Sequence, residues 1–278
     1  MSLKAADIMS APVRVVSPSD TIAHARRCMV RYRISRLLIV EDGALTGIVT
    51  KKDLAYRLRQ SEPAWRRRPI DHIPVSVIAI PDPITVTPST SVREIAALFV
   101  EHAISSVPVM GGDEVAGIIT KSDLMRSASF QNLKGSVQDL MEDVVTVSRL
   151  HSLDHVIDVM SERNDKVVVT NNDGSIAGII TETNLAFLEN GEQISGIAYK
   201  RVPVNRQKPF RAMRALVVGP VTAEDIMTSP IRTTAPETPL NRAIADMNRY
   251  GINSLVVVDD KDIVGIIKRD DIIMEVAK

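Results

Sequence analysis

Hydrophobic and polar residues alternate along this chain in a pattern that predicts a small set of elements. Ser19-Asp20-Thr21 carries oxygens that can cap a helix over residues 22–32, and Ser91 stands in the same way before residues 92–102. The aliphatic run Leu37–Val40, the turn pair Asp42-Gly43 and the run Leu45–Thr50 then predict a β-hairpin. A second helix is expected from about Asp53. With an extended segment ahead of the first helix, the order is β-α-β-β-α.

The same figure returns three more times. A glycine, two aliphatics, a hydroxyl, two polar residues and a carboxylate occur from Gly47 to Asp53 and from Gly117 to Asp123. The phrase recurs, altered, from Gly178 to Asn184 and from Gly265 to Asp271. An Asp-aliphatic-Met phrase precedes three of the copies: Met9 lies 44 residues before Asp53, Met141 lies 43 before Asn184, and Met227 lies 44 before Asp271. The second copy lacks that methionine, and Ile80, 43 residues before Asp123, stands in for it. The divisions are residues 1–60, 75–133, 134–190 and 220–278, with linkers at 61–74 and 191–219. One copy has too little core to stand alone. Pairing is expected, most simply first with second and third with fourth, in an α/β (α+β) fold.

Composition narrows the class. The chain has 278 residues, 45% hydrophobic and 3% aromatic, which supplies an aliphatic core and excludes a disordered tail. One cysteine, Cys28, excludes a disulfide scaffold. Its place beside Ala25 and Met29 predicts core packing. No apolar run approaches the roughly 18 residues of a membrane span, and the start lacks a secretory signal, so a cytoplasmic protein is expected. The 34 basic and 34 acidic residues cancel only as a total. Residues 1–100 hold 15 basic against 9 acidic, 101–200 hold 7 against 15, and 201–278 hold 12 against 10.

The repeated phrase carries candidate chemistry. A threonine ending a strand and an aspartate opening a helix flank backbone N–H groups at a helix start, where anions are favoured. A carboxylate accepts hydrogen bonds from neighbouring hydroxyls such as those of a ribose. Thr50, Lys51 and Asp53, Thr120, Lys121 and Asp123, and Thr181 thus suit a nucleotide, with Lys52 a further cation. Helix capping alone is the plainer reading of the aspartates, but a cap does not require a threonine three residues earlier in repeated copies, which favours the nucleotide.

These glycine-to-aspartate phrases and methionine phrases, at fixed spacing over nearly the whole chain, resemble four tandem CBS (cystathionine β-synthase type) domains. The resemblance implies two Bateman modules that can pack as a flat disc. It implies clefts for adenosyl ligands: AMP, ADP or ATP, with S-adenosylmethionine as the alternative. It also implies a regulatory role like that of the nucleotide-sensing gamma subunit of AMP-activated protein kinase, and a homodimer as the assembly. Family habit places a phosphate-facing cation before the second strand. That position falls on Arg36, Ser106, Asp165 and Ser254, of which Arg36 alone is basic. Asn184 and Glu182 predict a weak third site, and the fourth keeps Asp271 with Lys268 in place of the hydroxyl.

Other features have plainer readings. His151 and His155 stand four apart but lack a further ligand at metal-site spacing, so no metal is predicted. Trp65-Arg66-Arg67-Arg68 and the acid-free basic run from Lys200 to Arg214 leave nucleic-acid binding open as another function. There is no nucleophile elbow and no phosphate-binding Walker loop, so an enzyme is not expected.

Overall fold

The computed structural model describes residues 3–54, 72–161, 165–181, 184–185 and 221–278. The linker at 191–219, most of 61–74, the tryptophan–arginine cluster and the basic run of 200–214 lie outside them. The described chain forms two compact units. One comprises Met1–Glu142, Thr233–Asp259 and Gly265–Lys278, and the other Asp143–Arg232 and Asp260–Val264.

In the first copy, helix Ile22–Arg31 follows the cap Thr21, whose side chain accepts from the His24 N–H. Ile22, Ala25 and Met29 lie on one face and pack on Leu37, Ile39 and Val49 of the sheet, with Cys28 against the same cluster. The sheet is β1 (Val15–Val16), β2 (Arg36–Glu41), β3 (Ala44–Thr50) and β4 (Ile80–Pro81). β1 runs parallel to β2, and β2 and β3 form the expected hairpin through Asp42 and Gly43, both at positive φ. The second copy repeats this with helix Val92–Glu101, β5 (Ser106–Gly111) and β6 (Glu114–Thr120). In the other unit β7 (Thr146–Ser148), β8 (Lys166–Thr170) and β9 (Ile176–Thr181) form the third copy's sheet. The fourth copy has β10 (Thr233–Thr234) parallel to β11 (Ser254–Asp259), helix Leu240–Tyr250, β12 (Asp262–Lys268) and helix Arg269–Ala277.

The segment ahead of each copy does not begin that copy's own sheet; it crosses to a neighbour as an arm. Ser10 exchanges two backbone hydrogen bonds with Ile118 of the second copy (2.9 and 3.1 Å). β4, belonging to the second copy, pairs in return with β3 of the first, Ile80 opposite Ile48. Glu142 bonds Ile266 (both 2.9 Å) within one unit, and Thr228 bonds Ile179 (2.8 and 3.1 Å) within the other. Upstream, each arm supplies a carbonyl to the first amide of a helix in another copy. The pairs are Ile22 N to Ile73 O, Val92 N to Leu3 O, Leu153 N to Val221 O and Leu240 N to Gly135 O. These amides have no partner inside their own helices, so the arms satisfy groups the helices leave open.

The motif glycines are explained by this exchange. A Cβ on Gly117 would stand 2.6 Å from Met9 Sδ, one on Gly178 2.7 Å from Met227 Sδ, and one on Gly265 2.8 Å from Glu142 O. Gly47 meets Ile80 O at 3.0 Å and the Ala79 side chain at 3.6 Å. In the second copy's arm Ala79, not Ile80, therefore holds the place of the methionine.

Gly265→Ala is expected to cost about 1–3 kcal/mol of stability, the usual range for overpacking. A backbone carbonyl cannot swing aside as the Met9 side chain can, so Gly117→Ala should cost less. Chemical denaturation of the two variants checks this, and equal losses would contradict it.

Candidate functional site

In the first, second and fourth copies the second helix starts before the motif acid. Residues 51–54 are helical, and the second copy's helix spans Lys121–Arg126 with Thr120 as its cap. The hydroxyl is thus the cap and the carboxylate the third helical residue, which makes a capping box. Asp53 Oδ2 accepts from the Thr50 N–H (2.9 Å) and Oγ1 (2.7 Å), and Asp123 Oδ2 from the Thr120 N–H (2.8 Å) and Oγ1 (2.6 Å). Asp271 Oδ2 accepts from the Lys268 N–H at 2.7 Å. The cap consumes one carboxylate oxygen. The helix start is also less open to an anion than the sequence implies: the Lys51, Lys121 and Arg269 amides donate to Ser35 O, Ser105 O and Asn253 O.

The second carboxylate oxygen meets the arm. Ser10 Oγ donates to Asp123 Oδ1 at 3.3 Å, and Arg126 Nη1 reaches the same oxygen at 3.4 Å. In the other unit Asn184 Nδ2 donates to Thr228 Oγ1 and Ile226 O, both at 3.0 Å, while its Oδ1 keeps the cap with Thr181. Glu142 occupies the corresponding place beside Asp271. Ser10, Glu142 and Thr228 each directly follow their arm's methionine.

Strand register locates the cation before the second strand. Arg36 stands opposite Thr50, Ser106 opposite Thr120, and Lys166 opposite Thr181. The third copy therefore keeps a cation there, which corrects the assignment to Asp165. The strand begins at Lys166, directly before the aliphatic run Val167–Val169 as Arg36 stands directly before Leu37, and Asp165 lies one residue outside it. Lys166 is buried and ion-paired with Asp165.

Charge concentrates around Asp123, itself buried. Arg36 Nη1 donates to Ser105 O at 3.0 Å, and burial pulls this guanidinium down to about 10, partly opposed by Asp123 and reinforced by the like charge of Arg269. Arg269 donates to Ser122 Oγ (2.9 Å) and Ile252 O (3.2 Å) and is likewise lowered, first by burial, with Asp270 and Asp123 opposing and Arg126 adding to the shift. The Nε atoms of Arg36 and Arg269 are buried without a hydrogen-bond partner among the described residues. Lys121 is held by Asp270 at 2.7 Å. The second and fourth copies thus meet reciprocally, Lys121 on Asp270 and Arg269 on Ser122, with helix Val92–Glu101 packed on Arg269–Ala277.

Asp271 is set apart. Its carboxyl rises to about 7, first through burial and then through the Glu142 charge and hydrogen bond, against the Lys268 amide and ammonium. Lys268 Nζ lies 2.7 Å from Glu142 Oε2.

The structure thus gathers Arg36 and Asp123, ties Lys121 and Lys268 to carboxylates, and keeps Thr50 and Asp53 as a cap. Sequence reasoning missed Arg269, Arg126, Ser10 and Glu142. Arg269 fills the motif place of Lys51 and Lys121, a signal that was legible. Arg126, Ser10 and Glu142 enter only through packing. His151 and His155 stack edge to face at 4.3 Å, with His151 Nδ1 accepting from the Ser148 N–H. Among the described residues no group of three metal-ligating side chains forms, and no helix is long and apolar enough to cross a membrane.

This repeated capping box, completed by an arm from another copy, defines a tandem-repeat regulatory fold. The CBS domain model matches residues 5–60, 75–129, 137–190 and 223–278, and the chain belongs to the CBS domain family. Protein MJ1225 of Methanocaldococcus jannaschii is 29% identical over 127 residues, covering 43% of this chain and 45% of that protein. Its crystal structure shares the fold with a TM-score of 0.76 at 21% identity, over 98% of this chain and 99% of that one. MJ1232 of the same organism is 29% identical over 125 residues, which cover 42% of its length. The chain therefore matches less than half the length of these two curated relatives. An uncharacterized 33.4 kDa protein of Thermofilum pendens is 24% identical over 274 residues, 94% of this chain and 87% of that protein.

Asp271 carries a stability prediction. Between its ordinary value of 3.8 and about 7, the folded chain holds a proton that the unfolded chain has released. The stability from that proton is full below the unfolded value and is lost as pH rises through about 7. Asn184 shows that an amide can keep the cap, so Asp271→Asn should be more stable than the parent at pH 8 and less dependent on pH from 4 to 8. Urea denaturation at pH 5 and pH 8 measures this, and the same pH slope in both chains would contradict it.

Proposed function

We propose that this protein is a regulatory sensor of adenine nucleotides, AMP, ADP or ATP, whose occupancy changes its affinity for a partner protein or a second copy of itself. The observation that carries the reading is the group of Arg36, Arg126 and Arg269 about the carboxylate of Asp123. The Nε atoms of Arg36 and Arg269 are buried and unpartnered among the described residues, although both side chains are only half-buried. An unpaired buried donor costs roughly 1–3 kcal/mol, more when charged, and an anion offsets that cost. Asp123 Oδ1, held among the described residues by contacts of 3.3 and 3.4 Å, is the acceptor for ribose hydroxyls. Asp53 and Thr50 provide the matching set in the first copy. In the third, both amide hydrogens of Asn184 are already donated, which supports a weak site.

The relative MJ1225 is proposed as an archaeal homolog of g-AMPK, and inosine-5'-monophosphate dehydrogenase of Korarchaeum cryptofilum is 31% identical over 113 residues. Both support a regulatory module. A binding preference of roughly 1–3 kcal/mol between two states would change partner affinity about 5- to 150-fold. S-adenosylmethionine would bring a sulfonium to a site rich in guanidinium groups, so ATP should displace it.

Removing Asp53 and Asp123 together by alanine substitution should weaken ATP or AMP binding roughly 10- to 150-fold, the loss of a charge-assisted hydrogen bond at each site. Isothermal titration calorimetry measures this. Unchanged affinity would reject the assignment, and a preference for S-adenosylmethionine in direct competition would reject the phosphate reading.

A further inference from the structure

The position after the arm's methionine is where the motif sites differ in kind. Against the motif acid or amide, the first copy's arm sets a serine hydroxyl and the fourth copy's arm a threonine hydroxyl. The third copy's arm sets a carboxylate, Glu142, against Asp271. The backbone pairing of Ser10 with Ile118, of Thr228 with Ile179 and of Glu142 with Ile266 makes the three residues equivalent.

We propose that Glu142 is a specificity-determining residue of the fourth copy's site: it sets a second carboxylate against Asp271 and occupies the Lys268 ammonium, so this site takes a nucleotide less readily than one whose arm presents a hydroxyl. This rests on the nucleotide reading of the motif. With one oxygen of Asp271 in the cap, the ionised carboxylate keeps its outer oxygen as an acceptor for a ribose hydroxyl, whereas the protonated carboxyl has that oxygen engaged with Glu142. The same glutamate holds the cation that would otherwise meet phosphate.

The charges on the surrounding elements leave this pair to itself. On helix Lys121–Arg126, Lys121 is paired with Asp270, and Asp123 lies with Ser10 and Arg126. Arg269, on the helix of Asp271 itself, donates to Ser122 and Ile252 O. On helix Val92–Glu101, Arg93 reaches the Lys278 carbonyl, and Glu94 accepts from the Ser91 amide. The charges that act on the Asp271 carboxyl are Glu142 and Lys268. With that carboxyl near 7, affinity at this copy should be about tenfold higher at pH 8 than at pH 6, because the ionised fraction rises by about that factor.

The test uses the full chain carrying Asp53→Ala and Asp123→Ala, which leaves the fourth copy as the equipped site. ATP is titrated at pH 6, 7 and 8 by calorimetry, in two buffers of different ionisation enthalpy. Affinity should rise about tenfold across the range, with a proton released on binding at pH 6. Adding Glu142→Ser, the residue of the first copy's arm, should raise affinity at pH 6 about tenfold and remove most of the proton release. Glu142→Gln, which keeps the side chain's length, should do the same if the serine variant packs poorly. Comparing chains with and without the substitution cancels ionisation of the ATP phosphates. An equal pH slope with and without Glu142 overturns the inference, as does ATP binding in the parent chain that vanishes in the double-alanine background. A parent chain that binds no nucleotide overturns both this inference and the functional reading.

Discussion

The structure depends on one borrowed hydrogen bond, repeated four times. The first helix of every copy opens with an amide that its own turn cannot satisfy, and a carbonyl from another copy's arm accepts it. Downstream of that contact the arm continues as a short antiparallel strand against the residue after the motif glycine. A copy without its neighbour would lose both the acceptor for its first helical amide and an edge of its sheet. The repeats are therefore interdependent at the level of the backbone, before any side chain is considered.

That constraint fixes the site. To let the arm approach, the motif needs a glycine, since a Cβ there would strike a methionine sulfur or a carbonyl oxygen. Having approached, the arm sets its next side chain on the outer oxygen of the motif acid or on the motif amide. The second, third and fourth copies' sites are then composites: one copy contributes the capping box and another the residue that tunes it. Divergence at that one arm position changes the chemistry while leaving the fold intact. Ser10 leaves Asp123 an acceptor, Thr228 is matched to the amide of Asn184, and Glu142 helps to raise the Asp271 carboxyl. In the first unit the reciprocal contacts of Lys121 with Asp270 and Arg269 with Ser122 join two motifs directly, a physical route by which one can sense the other.

Much of this was legible in the sequence because repetition carries it. The hairpins, the first helices with their Thr21 and Ser91 caps and the motif acids follow from local patterning, which tertiary packing here reinforces. Register was not legible. Lys166 stands where the sequence suggested Asp165: the strand begins at Lys166, opposite Thr181, and only strand pairing reveals that start. The arm exchange was hidden for a different reason: a methionine phrase at fixed spacing reads as part of its own copy, and nothing local says that it crosses. For the same reason Glu142 looked like an ordinary acid after a methionine, and Lys121 like a free phosphate ligand when it is ion-paired with Asp270.

The central claim is that an arm from one copy completes the nucleotide site on another. The most direct measurement follows the methyl resonance of Met9 by methionine-labelled NMR while AMP or ATP is added. Met9 packs on the second copy's Gly117, next to the Ser10–Asp123 contact. The account predicts that this methyl shifts in step with occupancy of the second copy, and that Asp123→Ala abolishes the shift while Asp53→Ala leaves it. A Met9 methyl that stays fixed while nucleotide binds would contradict it.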